Sequence, residues 1–357
     1  MAKFTLVIGA GIAGLSLAWD LLQRGRAVVI AERHLAGGES TWAGGGILSP
    51  LLPWDYPTTV TQLALRAMQA WPAWVTDIER VSGLDAEYQV CGLHAHRVPE
   101  AARALDWCAL QGMRVHHDPG SSSLWLPDIA QVRNPRIAQA LRAACIRAGA
   151  RLIESQPVCA LGIQGRQVST VQLDGESFEI DQLAIATGAW AGLPLAGTAP
   201  VPHVRPIRGQ MLLFKFEPDV LDTMVYCEGL YVIPRRDGHV LVGSTLEDAG
   251  FDKSTDATTA HRLHQQATEW LPVLAGAQPV RHWAGLRPGA PDNIPIVGRH
   301  PDFDNVFVNT GHYRYGLTMA PASAELLADL MEDKTPALDP APYSWAAALQ
   351  RRWTDRL

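Results

Sequence analysis

The first thirty residues alternate apolar runs with glycines in a pattern that predicts a strand, a helix and a second strand. Residues 4–8 (FTLVI) form a continuous apolar run, and residues 12–22 carry apolar side chains at helical spacing. A second apolar run, 27–31 (AVVIA), follows Gly25, a residue that suits the end of a helix. Because both runs are uniformly apolar and the connections are short, we expect a buried parallel pair of strands.

The rest of the chain predicts a return to this sheet and a second sheet of another kind. Helices are predicted over 61–81, 101–111, 135–150 and 261–270, and residues 53–133 are interpreted as a helical excursion. Strands are predicted within 150–155, 169–175, 177–190 and 306–308. From 205 to 247 apolar and polar residues alternate, and Asp237-Gly238 predicts a hairpin turn. The fold class is therefore α/β, as an α+β arrangement of two interleaved domains.

Composition and charge exclude several classes of protein. The 357 residues are 47% hydrophobic and 18% charged, which is a globular balance. The net charge is −6 and basic residues never run beyond two, so no nucleic-acid or anionic-membrane partner is expected. The 5 cysteines show no CxxC spacing, which predicts no disulfide framework and fits a reducing cytoplasm. The apolar N-terminus could pass for a secretion signal, but its glycine spacing favours a βαβ unit, and no run has the roughly 18 apolar residues of a membrane span.

The turn after the first strand carries Gly9, Gly11 and Gly14 in a GxGxxG spacing, and Glu32 ends the second strand. Glycine is needed where the turn is tight, where the backbone approaches a pyrophosphate, and where helix meets strand. The helix N-terminus offers donors to phosphates, and Glu32 would accept from ribose hydroxyls, which argues against NADP. The pattern predicts a Rossmann-like dinucleotide site, and the alternative is a glycine-rich helix start that binds nothing.

Two further segments bear on the choice between NAD and FAD. The loop GGESTWAGGGIL (37–48) would let backbone amides lie against a flavin, and Ala186, Thr187 and Gly188 end a buried strand. The last third contains YVIPRRDGHVLVGST, WAGLRPGAPDNIPIVGRHP and NVFVNTGHYRYGLTMAPASAELLADL. With these segments the chain resembles, over essentially its whole length, the D-amino acid oxidase (DAO) family of FAD-dependent amine oxidoreductases, and within that family the glycine oxidase branch.

The resemblance implies FAD and a division of the chain. FAD should be noncovalent, because the GLRPG segment lacks the cysteine that links flavin in monomeric sarcosine oxidases. We expect a Rossmann-like FAD-binding domain over 1–52, 134–204 and 284–357, and an antiparallel-sheet substrate domain over 53–133 and 205–283. Together with the glycine fingerprint, the resemblance implies that FAD contacts Gly9, Gly11, Ile12, Ala13, Gly14, Glu32, Arg33, Ser40, Thr41, Gly45, Gly46, Ile47, Val158, Thr187, Gly188, His312, Tyr313, Arg314, Tyr315, Gly316, Leu317 and Thr318.

The resemblance also implies that Tyr231, Arg287 and Arg314 lie at the substrate. A guanidinium fork grips a carboxylate with two charge-assisted bonds, which suits a small amino acid. Loss of hydride from the α-carbon to flavin N5 requires orientation rather than a strong acid or base, so no side chain is assigned a catalytic role. The alternatives are a structural arginine in a Gly-Pro loop, an Arg314 that points along the flavin edge, and a Tyr231 within the core.

Expectations also follow for three residues near the substrate motif and for two pairs of histidines. Gly229, Leu230 and Leu246, where the chain departs from the branch, are expected to line the substrate pocket. The pairs His94-x-His96 and His116-His117 suggest a metal site, but no acidic or cysteine companion stands at ligand spacing. We therefore expect these histidines to be surface residues and no metal to be bound.

The reaction that the resemblance implies is oxidative deamination of glycine and of small amines such as sarcosine or small D-amino acids. It would give an imine that hydrolyses to the oxo acid and ammonia, with O2 reoxidising the flavin to yield peroxide. The implied pathway is synthesis of the thiamine thiazole, and relatives are often tetramers. The alternatives are a D-amino acid dehydrogenase that passes electrons to quinone, a tRNA-modifying oxidase, against which the acidic net charge argues, and a flavin-binding sensor.

Overall fold

The structure, a computed structural model, describes residues 4–353. Its strands are Thr5–Ile8 (β1), Val28–Ala31 (β2), Gln89–Val90 (β3), Leu93–His96 (β4), His116–His117 (β5), Leu124–Leu126 (β6), Ala130–Gln131 (β7), Arg151–Ile153 (β8), Val158–Gln164 (β9), Gln167–Leu173 (β10), Glu176–Glu179 (β11), Gln182–Ile185 (β12), Arg205–Lys215 (β13), Met224–Cys227 (β14), Leu230–Pro234 (β15), His239–Gly243 (β16), Arg281–Gly289 (β17), Ile296–Arg299 (β18) and Val306–Thr310 (β19). Its α-helices are Ile12–Gln23 (α1), Ser40–Ala43 (α2), Thr58–Ser82 (α3), Ala101–Gln111 (α4), Asn134–Arg147 (α5), Ala257–Trp270 (α6), Gly316–Met331 (α7) and Trp345–Gln350 (α8).

The first sheet has the strand order β18-β19-β12-β1-β2-β8 and is parallel except for the pairing of β18 with β19. Every residue of β1 and β2 is buried, which explains why their sequences are continuously apolar. Helices α1, α3, α5 and α7 form the main core on one face. The small sheet of β9 to β11 and helix α8 pack on the other face.

The order of the first sheet reverses at its centre, since the chain moves from β1 to β2 on one side and later adds β12 on the other side. In such sheets a crevice opens outside the carboxyl ends of the strands, and ligands bind there. Gly9, Glu32, Ala186 and Gly311 each follow directly on one of these strands. The fold therefore brings the candidate motifs to one edge.

The second sheet has the order β17-β13-β16-β15-β14-β4-β6-β5 and is antiparallel over most of its width. Side chains alternate cleanly along β15: Tyr231 and Ile233 lie on one face, while Leu230 and Val232 lie on the other. Helix α6 covers the second of these faces. The face that carries Tyr231 is left for the site described below.

The fold class is confirmed, and several elements fall where the pattern predicts them. Helix α4 matches its predicted bounds, and the hairpin at Asp237-Gly238 joins β15 to β16. The interpretation of residues 53–133 as purely helical is wrong, because β4, β5 and β6 join the second sheet there. These strands are only two to four residues long, too short to show an alternating pattern, and two of them consist largely of histidines. Strand β9, which is mostly exposed, was also not predicted.

The division into domains stays a prediction. Strand β17 pairs with β13 from Arg281 to Gly289, so the second sheet continues past the predicted boundary between residues 283 and 284. Residues 1–3 and 354–357, the ends of the predicted FAD-binding domain, lie outside the described residues. Within residues 4–353, no helix has the length and apolar character needed to cross a membrane.

Candidate functional site

The glycine turn after β1 is closer to its neighbours than any side chain would allow. Gly9 has φ +100°, and a Cβ there would lie 2.4 Å from the carbonyl oxygen of Ala186. A Cβ on Gly14 would lie 1.9 Å from the carbonyl oxygen of Gly9. These glycines let β1, β12 and α1 meet, as their spacing predicts. Gly14 serves this helix-strand contact and does not line the clefts described below.

The N-terminus of α1 faces a cleft lined by Gly11, Ile12 and Ala13. The amide of Ile12 donates to Thr41 Oγ1 over 2.8 Å, and the carbonyl of Thr41 accepts from Asn134 Nδ2 over 2.8 Å. Helix α2, which contains Thr41, is thus held against α1 and α5. Amides at a helix N-terminus carry partial positive charge, so this part of the cleft suits an anionic group.

The residues predicted for the ribose end lie around a side cleft. Glu32 Oε2 accepts from the amide of Ala10 over 2.8 Å, and Oε1 accepts from the amide of His34 over 2.9 Å. Because a carboxylate has about four acceptor positions, these bonds orient Glu32 and leave acceptors free. The Arg33 guanidinium lies 3.8 Å from the ring centroid of Trp190, which lines the same cleft and was not predicted.

Two clefts adjoin along the edge of the first sheet. The main cleft measures about 1150 Å³ and the side cleft about 990 Å³, including the space at their mouths that is open to solvent. Both are lined by Gly11, Ser40, Thr41, Ala186 and Gly188, so they form one elongated crevice. Its position, at the carboxyl ends of the strands beside the reversal of strand order, is the one that α/β sheets use for dinucleotides.

The structure brings nearly all of the predicted cofactor residues together at this crevice. Gly9, Glu32, Arg33, Val158 and Thr187 line the side cleft. The main cleft adds Ile12, Ala13, Gly45, Gly46, Ile47, His312, Tyr313, Arg314, Tyr315, Gly316 and Leu317. Gly14 and Thr318 line neither cleft. The Thr318 hydroxyl instead donates to the carbonyl of Ile47 over 3.2 Å, which fixes the glycine loop to α7.

The glycine loop after α2 lies between the crevice and the second sheet. A Cβ on Gly45 would lie 2.8 Å from Ile233 Cδ1 and 3.1 Å from Tyr231 Cε2. Gly46 has φ +85°, and a Cβ there would lie 2.0 Å from the carbonyl oxygen of Val132. The loop can therefore approach β15 and the segment before α5 only with glycine, and it lines the main cleft.

One face of the second sheet forms the opposite wall of the main cleft. Tyr231 pairs with Gly243, and Gly243 pairs with Met211, so the three residues face the same side. Met211 fills the space that Gly243 leaves, since a Cβ on Gly243 would lie 2.2 Å from Met211 Sδ. Glycine at 209 leaves similar room, which the Arg287 guanidinium occupies: a Cβ on Gly209 would lie 2.2 Å from Arg287 Nη1.

Ser244, at the end of β16, joins two of the predicted substrate residues. Arg287 Nη2 donates to Ser244 Oγ over 2.6 Å, and the Tyr231 hydroxyl donates to the same oxygen over 3.0 Å. Arg287 Nη1 also donates to the carbonyl of Thr245 over 3.1 Å. No sequence signal singles out Ser244, because a lone serine after a strand is common.

The three residues expected to vary the pocket do not line it. Gly229, Leu230 and Leu246 are absent from the walls of the main and side clefts. Leu230 precedes Tyr231 on β15 and therefore points to the opposite face, where it packs in the core beneath α6. Gly229 lies exposed in the turn between β14 and β15.

The GHYRYG loop closes the main cleft from the other side. Burial of His312, which is 2% exposed, lowers its pKa to about 4, so the imidazole is neutral near pH 7. The hydroxyls of Tyr315 and Tyr56 form a hydrogen bond, and their rings meet edge to face with centroids 5.0 Å apart. Tyr56, which precedes α3, was not predicted.

Arg314 is surrounded by tyrosines. Burial works against its charge, but the neighbouring Tyr315, Tyr56, Tyr231 and Tyr313 outweigh burial, so the pKa of Arg314 is raised and the guanidinium stays charged. Burial also raises the pKa of the Tyr313 hydroxyl, an effect that Arg287 and Arg314 partly oppose.

Neither predicted substrate arginine has a carboxylate partner. Within residues 4–353, Arg287 and Arg314 form no ion pair, although both line the main cleft. Most other arginines among residues 4–353 pair with a carboxylate: Arg208, for example, bonds to Glu247 and Asp252. Two guanidinium groups without counter-ions make this cleft suited to an anionic ligand.

Several buried polar atoms in the walls also lack partners. Asn134 Oδ1, Asn309 Oδ1, His312 Nε2 and the Tyr313 hydroxyl form no hydrogen bond, and all four residues line the main cleft. Since buried polar groups in proteins are nearly always paired, these atoms fit a polar group bound in the cleft. Together with the glycine cradles, they fit FAD. Asn134 and Asn309 carry no sequence signal beyond their positions at element ends.

The histidine pairs lie away from this site. His94 stacks on Trp125 with centroids 4.3 Å apart, and His96 Nδ1 forms a hydrogen bond with Ser123 Oγ over 3.0 Å. His117 Nε2 bonds to the carbonyl of Ser121. In the part of the chain that the structure describes, no three histidine, cysteine, aspartate or glutamate side chains are placed to hold a metal ion.

Comparisons with known proteins agree with this geometry. The family model described as FAD dependent oxidoreductase (DAO) matches residues 5–330. The chain is 41% identical to a glycine oxidase of Pseudomonas aeruginosa, covering 98% of this chain and all of that protein. It is 31% identical to the bifunctional protein ThiO/ThiG of Synechocystis, covering 92% of this chain and 51% of that protein. The crystal structure of glycine oxidase from Geobacillus kaustophilus matches with a TM-score of 0.88 at 27% identity, covering 96% of this chain and 98% of that chain.

Proposed function

Because the chain belongs to the DAO family of FAD-dependent oxidoreductases, we propose that it oxidises glycine and other small amines, including sarcosine and small D-amino acids. It is an FAD-dependent amino acid oxidase, like the glycine oxidases to which it is similar over nearly its full length. The proposal concerns the substrate, the acceptor and the residues that serve each of them.

One observation carries the choice of substrate: two arginines without counter-ions, Arg287 and Arg314, line the main cleft beside Tyr231. A small amino acid has a carboxylate as its chief handle, and a guanidinium binds a carboxylate with two parallel charge-assisted bonds. The bonds from Arg287 to Ser244 and to the carbonyl of Thr245 hold the fork in place before substrate arrives. Ser244 also positions the Tyr231 hydroxyl at the same end of the cleft.

The contribution of the protein to the reaction is orientation. With the carboxylate held by Arg287, the α-carbon is fixed relative to the glycine loop and the GHYRYG loop, and such positioning can supply much of the rate. FAD, when bound, would accept the hydride that leaves the α-carbon. His312 stays neutral and adds no charge to the cleft. The half-buried Tyr56 and the buried Tyr315, which are hydrogen-bonded to each other, help to exclude water at this end.

The residues that would hold FAD follow from the two clefts. Backbone amides of Gly11, Ile12 and Ala13 would face the phosphates, and Glu32 would accept from the ribose. Ser40, Thr41, Gly45, Gly46 and Ile47 would lie along the cofactor between these ends. No cysteine is among the residues that line either cleft, which supports noncovalent binding.

The names of two relatives support a role in thiamine synthesis. One relative is a glycine oxidase, and the other is the bifunctional protein ThiO/ThiG. In that pathway the imine product would feed formation of the thiazole ring. We propose O2 as the electron acceptor, with hydrogen peroxide as the second product. Assembly into a homo-oligomer, specifically a tetramer, also stays a prediction.

The test is anaerobic reduction of the purified flavoprotein. Glycine, sarcosine, D-alanine and D-proline are mixed separately with the enzyme under argon, bleaching of the flavin is followed, and air is then admitted while peroxide is measured. We expect bleaching by at least glycine or sarcosine and one peroxide for each amine oxidised. L-leucine, whose larger side chain an enzyme for small amines should not accept, serves as the control substrate.

Two results would contradict the proposal in different ways. If an amine bleaches the flavin but no peroxide forms when air is admitted, the result would favour a dehydrogenase that uses another electron acceptor. If none of the amines bleached the flavin, both the substrate class and the roles of Arg287 and Arg314 would be wrong.

A further inference from the structure

A third cleft, here called the rear cleft, lies behind the glycine loop. It measures about 1210 Å³, including the space at its mouth that is open to solvent. Helix α2 separates it from the main cleft: Ser40, Thr41 and Ala43 line the main cleft, whereas Trp42 lines the rear cleft. Gly44 lines both clefts. The proposed function assigns no role to the rear cleft.

The rear cleft lies on the same face of the second sheet as the substrate wall. Arg281 pairs with Leu213, and Leu213 pairs with Leu241. Leu213 lies two residues after Met211 on β13, and Leu241 lies two residues before Gly243 on β16. Residues two apart on a strand share a face and are separated by about 7 Å, so the two clefts are neighbours on one surface.

The walls of the rear cleft carry an excess of positive charge. Four arginines line it, against one aspartate: Arg133, Arg136, Arg235, Arg281 and Asp85. Arg133 and Arg136 share the buried carboxylate of Glu87, at 3.1 Å and 2.6 Å, and Arg133 also pairs with Asp237. Asp85 pairs with Arg236. Arg235 and Arg281 are therefore left without a carboxylate among residues 4–353.

Arg235 is buried and ties the rear cleft to the cofactor loop. It is 7% exposed and donates only to neutral oxygens, among them Gln131 Oε1 over 2.6 Å and the carbonyl of Gly45 over 2.7 Å. A buried guanidinium without a counter-ion carries a large desolvation cost. An anion in the adjoining cleft would offset part of that cost.

The other feature of the rear cleft is aromatic. The rings of Trp42 and Trp283 meet edge to face with centroids 5.7 Å apart, and both are only half-buried. The guanidinium of Arg281 lies 4.6 Å from the Trp42 centroid, and its side chain has no ion pair or hydrogen bond with any described residue. Half-buried indoles beside a free guanidinium suit a flat ring that carries an anionic group.

We propose that the rear cleft binds a small aromatic anion, a carboxylate or phosphate monoester, and that its occupancy changes how tightly FAD is held. The ligand would contact Trp42, whose neighbours Thr41 and Ala43 line the cofactor cleft, and would act on the bond from Arg235 to Gly45. Coupling of this kind is reciprocal, so FAD must change the affinity for the anion by the same factor. The proposal does not depend on which amine is the substrate.

The experiment titrates the holoenzyme calorimetrically with phenyl phosphate, with phenylacetate, and with inorganic phosphate. We expect both aromatic anions to bind more tightly than inorganic phosphate, and the better of them to indicate the natural headgroup. Arg281→Gln should weaken binding at least about tenfold, as expected for a lost charged hydrogen bond. Arg262→Gln is the matched control, because Arg262 is an exposed arginine on α6 that bonds only to Gln266.

The coupling is measured on the same holoenzyme as the fraction of FAD released on dilution. A saturating aromatic anion should shift the FAD dissociation constant about fivefold or more in either direction. Absence of binding by either aromatic anion, or binding that Arg281→Gln leaves unchanged, would overturn the proposal. So would binding that Arg287→Ala abolishes and Arg281→Gln spares, because the anion would then occupy the amino acid site. Reduction by glycine without any anion tests the proposed function separately.

Discussion

At the scale of single residues, the prediction concerns Arg287. Replacement by alanine removes the fork that Ser244 and Thr245 hold in position. The loss of charged hydrogen bonds to a carboxylate costs about 1.5–3 kcal/mol, which is roughly a ten- to hundredfold loss of affinity. We expect Arg287→Ala to raise the glycine concentration that half-saturates anaerobic flavin reduction by that factor.

Arg287→Lys separates charge from geometry. Lysine keeps a positive charge but lacks the planar fork, so its affinity for glycine should fall between those of the wild type and Arg287→Ala. Arg262→Ala, a change at an exposed arginine distant from the cleft walls, provides the control for general effects of arginine removal. Unchanged saturation by glycine in Arg287→Ala would remove this residue from the substrate site.

Single residues also mark the limit of prediction from the sequence. Arg287, Arg314 and Tyr231 were found because they stand in motifs, and all three line the main cleft. Ser244 and Tyr56 stand in no motif, and their contacts arise only when β16, β15 and the GHYRYG loop are brought together. Leu230 directly precedes Tyr231 on β15 and therefore faces the other side of the sheet, so its position next to a motif residue does not bring it to the cleft.

At the scale of elements, the prediction concerns the glycine loop after α2. Gly45 faces the second sheet closely: an added Cβ would lie 2.8 Å from Ile233 Cδ1 and 3.1 Å from Tyr231 Cε2. Gly45→Ala should push the loop toward the main cleft or displace the Tyr231 ring. Overpacking of this kind costs about 1–3 kcal/mol. We expect the FAD dissociation constant, measured by dilution of the holoenzyme, to rise roughly five- to hundredfold.

Gly120→Ala is the matched control for this substitution. Gly120 lies in a loop where an added Cβ would meet only Asp118 Oδ1, at 3.6 Å, and the change in backbone entropy is the same. An equal effect of both substitutions on FAD release would show that the contact of Gly45 with the second sheet has no bearing on the cofactor.

Elements were predictable where their own residues show a clear pattern. Strands β1 and β2 are buried on both faces and so appear as unbroken apolar runs, and the helices that cover them show clear helical spacing. Strands β4, β5 and β6 join the second sheet through the pairing of β4 with β14, since β6 pairs with β4 and β5 pairs with β6. Local pattern cannot reveal this place, because Leu93 pairs with Met224, which lies far along the chain.

At the scale of the whole molecule, the crevice joins the two sheets. The main cleft takes Gly11, Ile12 and Ala13 from the first sheet and its helix, and Tyr231, Met211 and Arg287 from the second. The direct ties between these halves include the bond from Trp283 Nε1 to the carbonyl of Ala43 and that from Arg235 to Gly45. The sequence predicted two interleaved domains but not how their faces meet, because that depends on close contacts such as the one at Gly285, where an added Cβ would lie 2.4 Å from Ala43 Cβ.

FAD that bridges the two sheets should stabilise the whole molecule by mass action. A ligand that binds only the folded state adds about 1.4 kcal/mol to the free energy of unfolding for each tenfold rise of free ligand above its dissociation constant. For a chain of 357 residues we expect the thermal midpoint to rise by roughly 2 °C for each tenfold rise in free FAD. The measurement is calorimetry of the holoenzyme at one scan rate with increasing free FAD.

NAD at the same concentrations is the control, since it shares the adenosine pyrophosphate but lacks the flavin. If the thermal midpoint did not change with free FAD, or if NAD raised it equally, the result would contradict a cofactor held by both sheets.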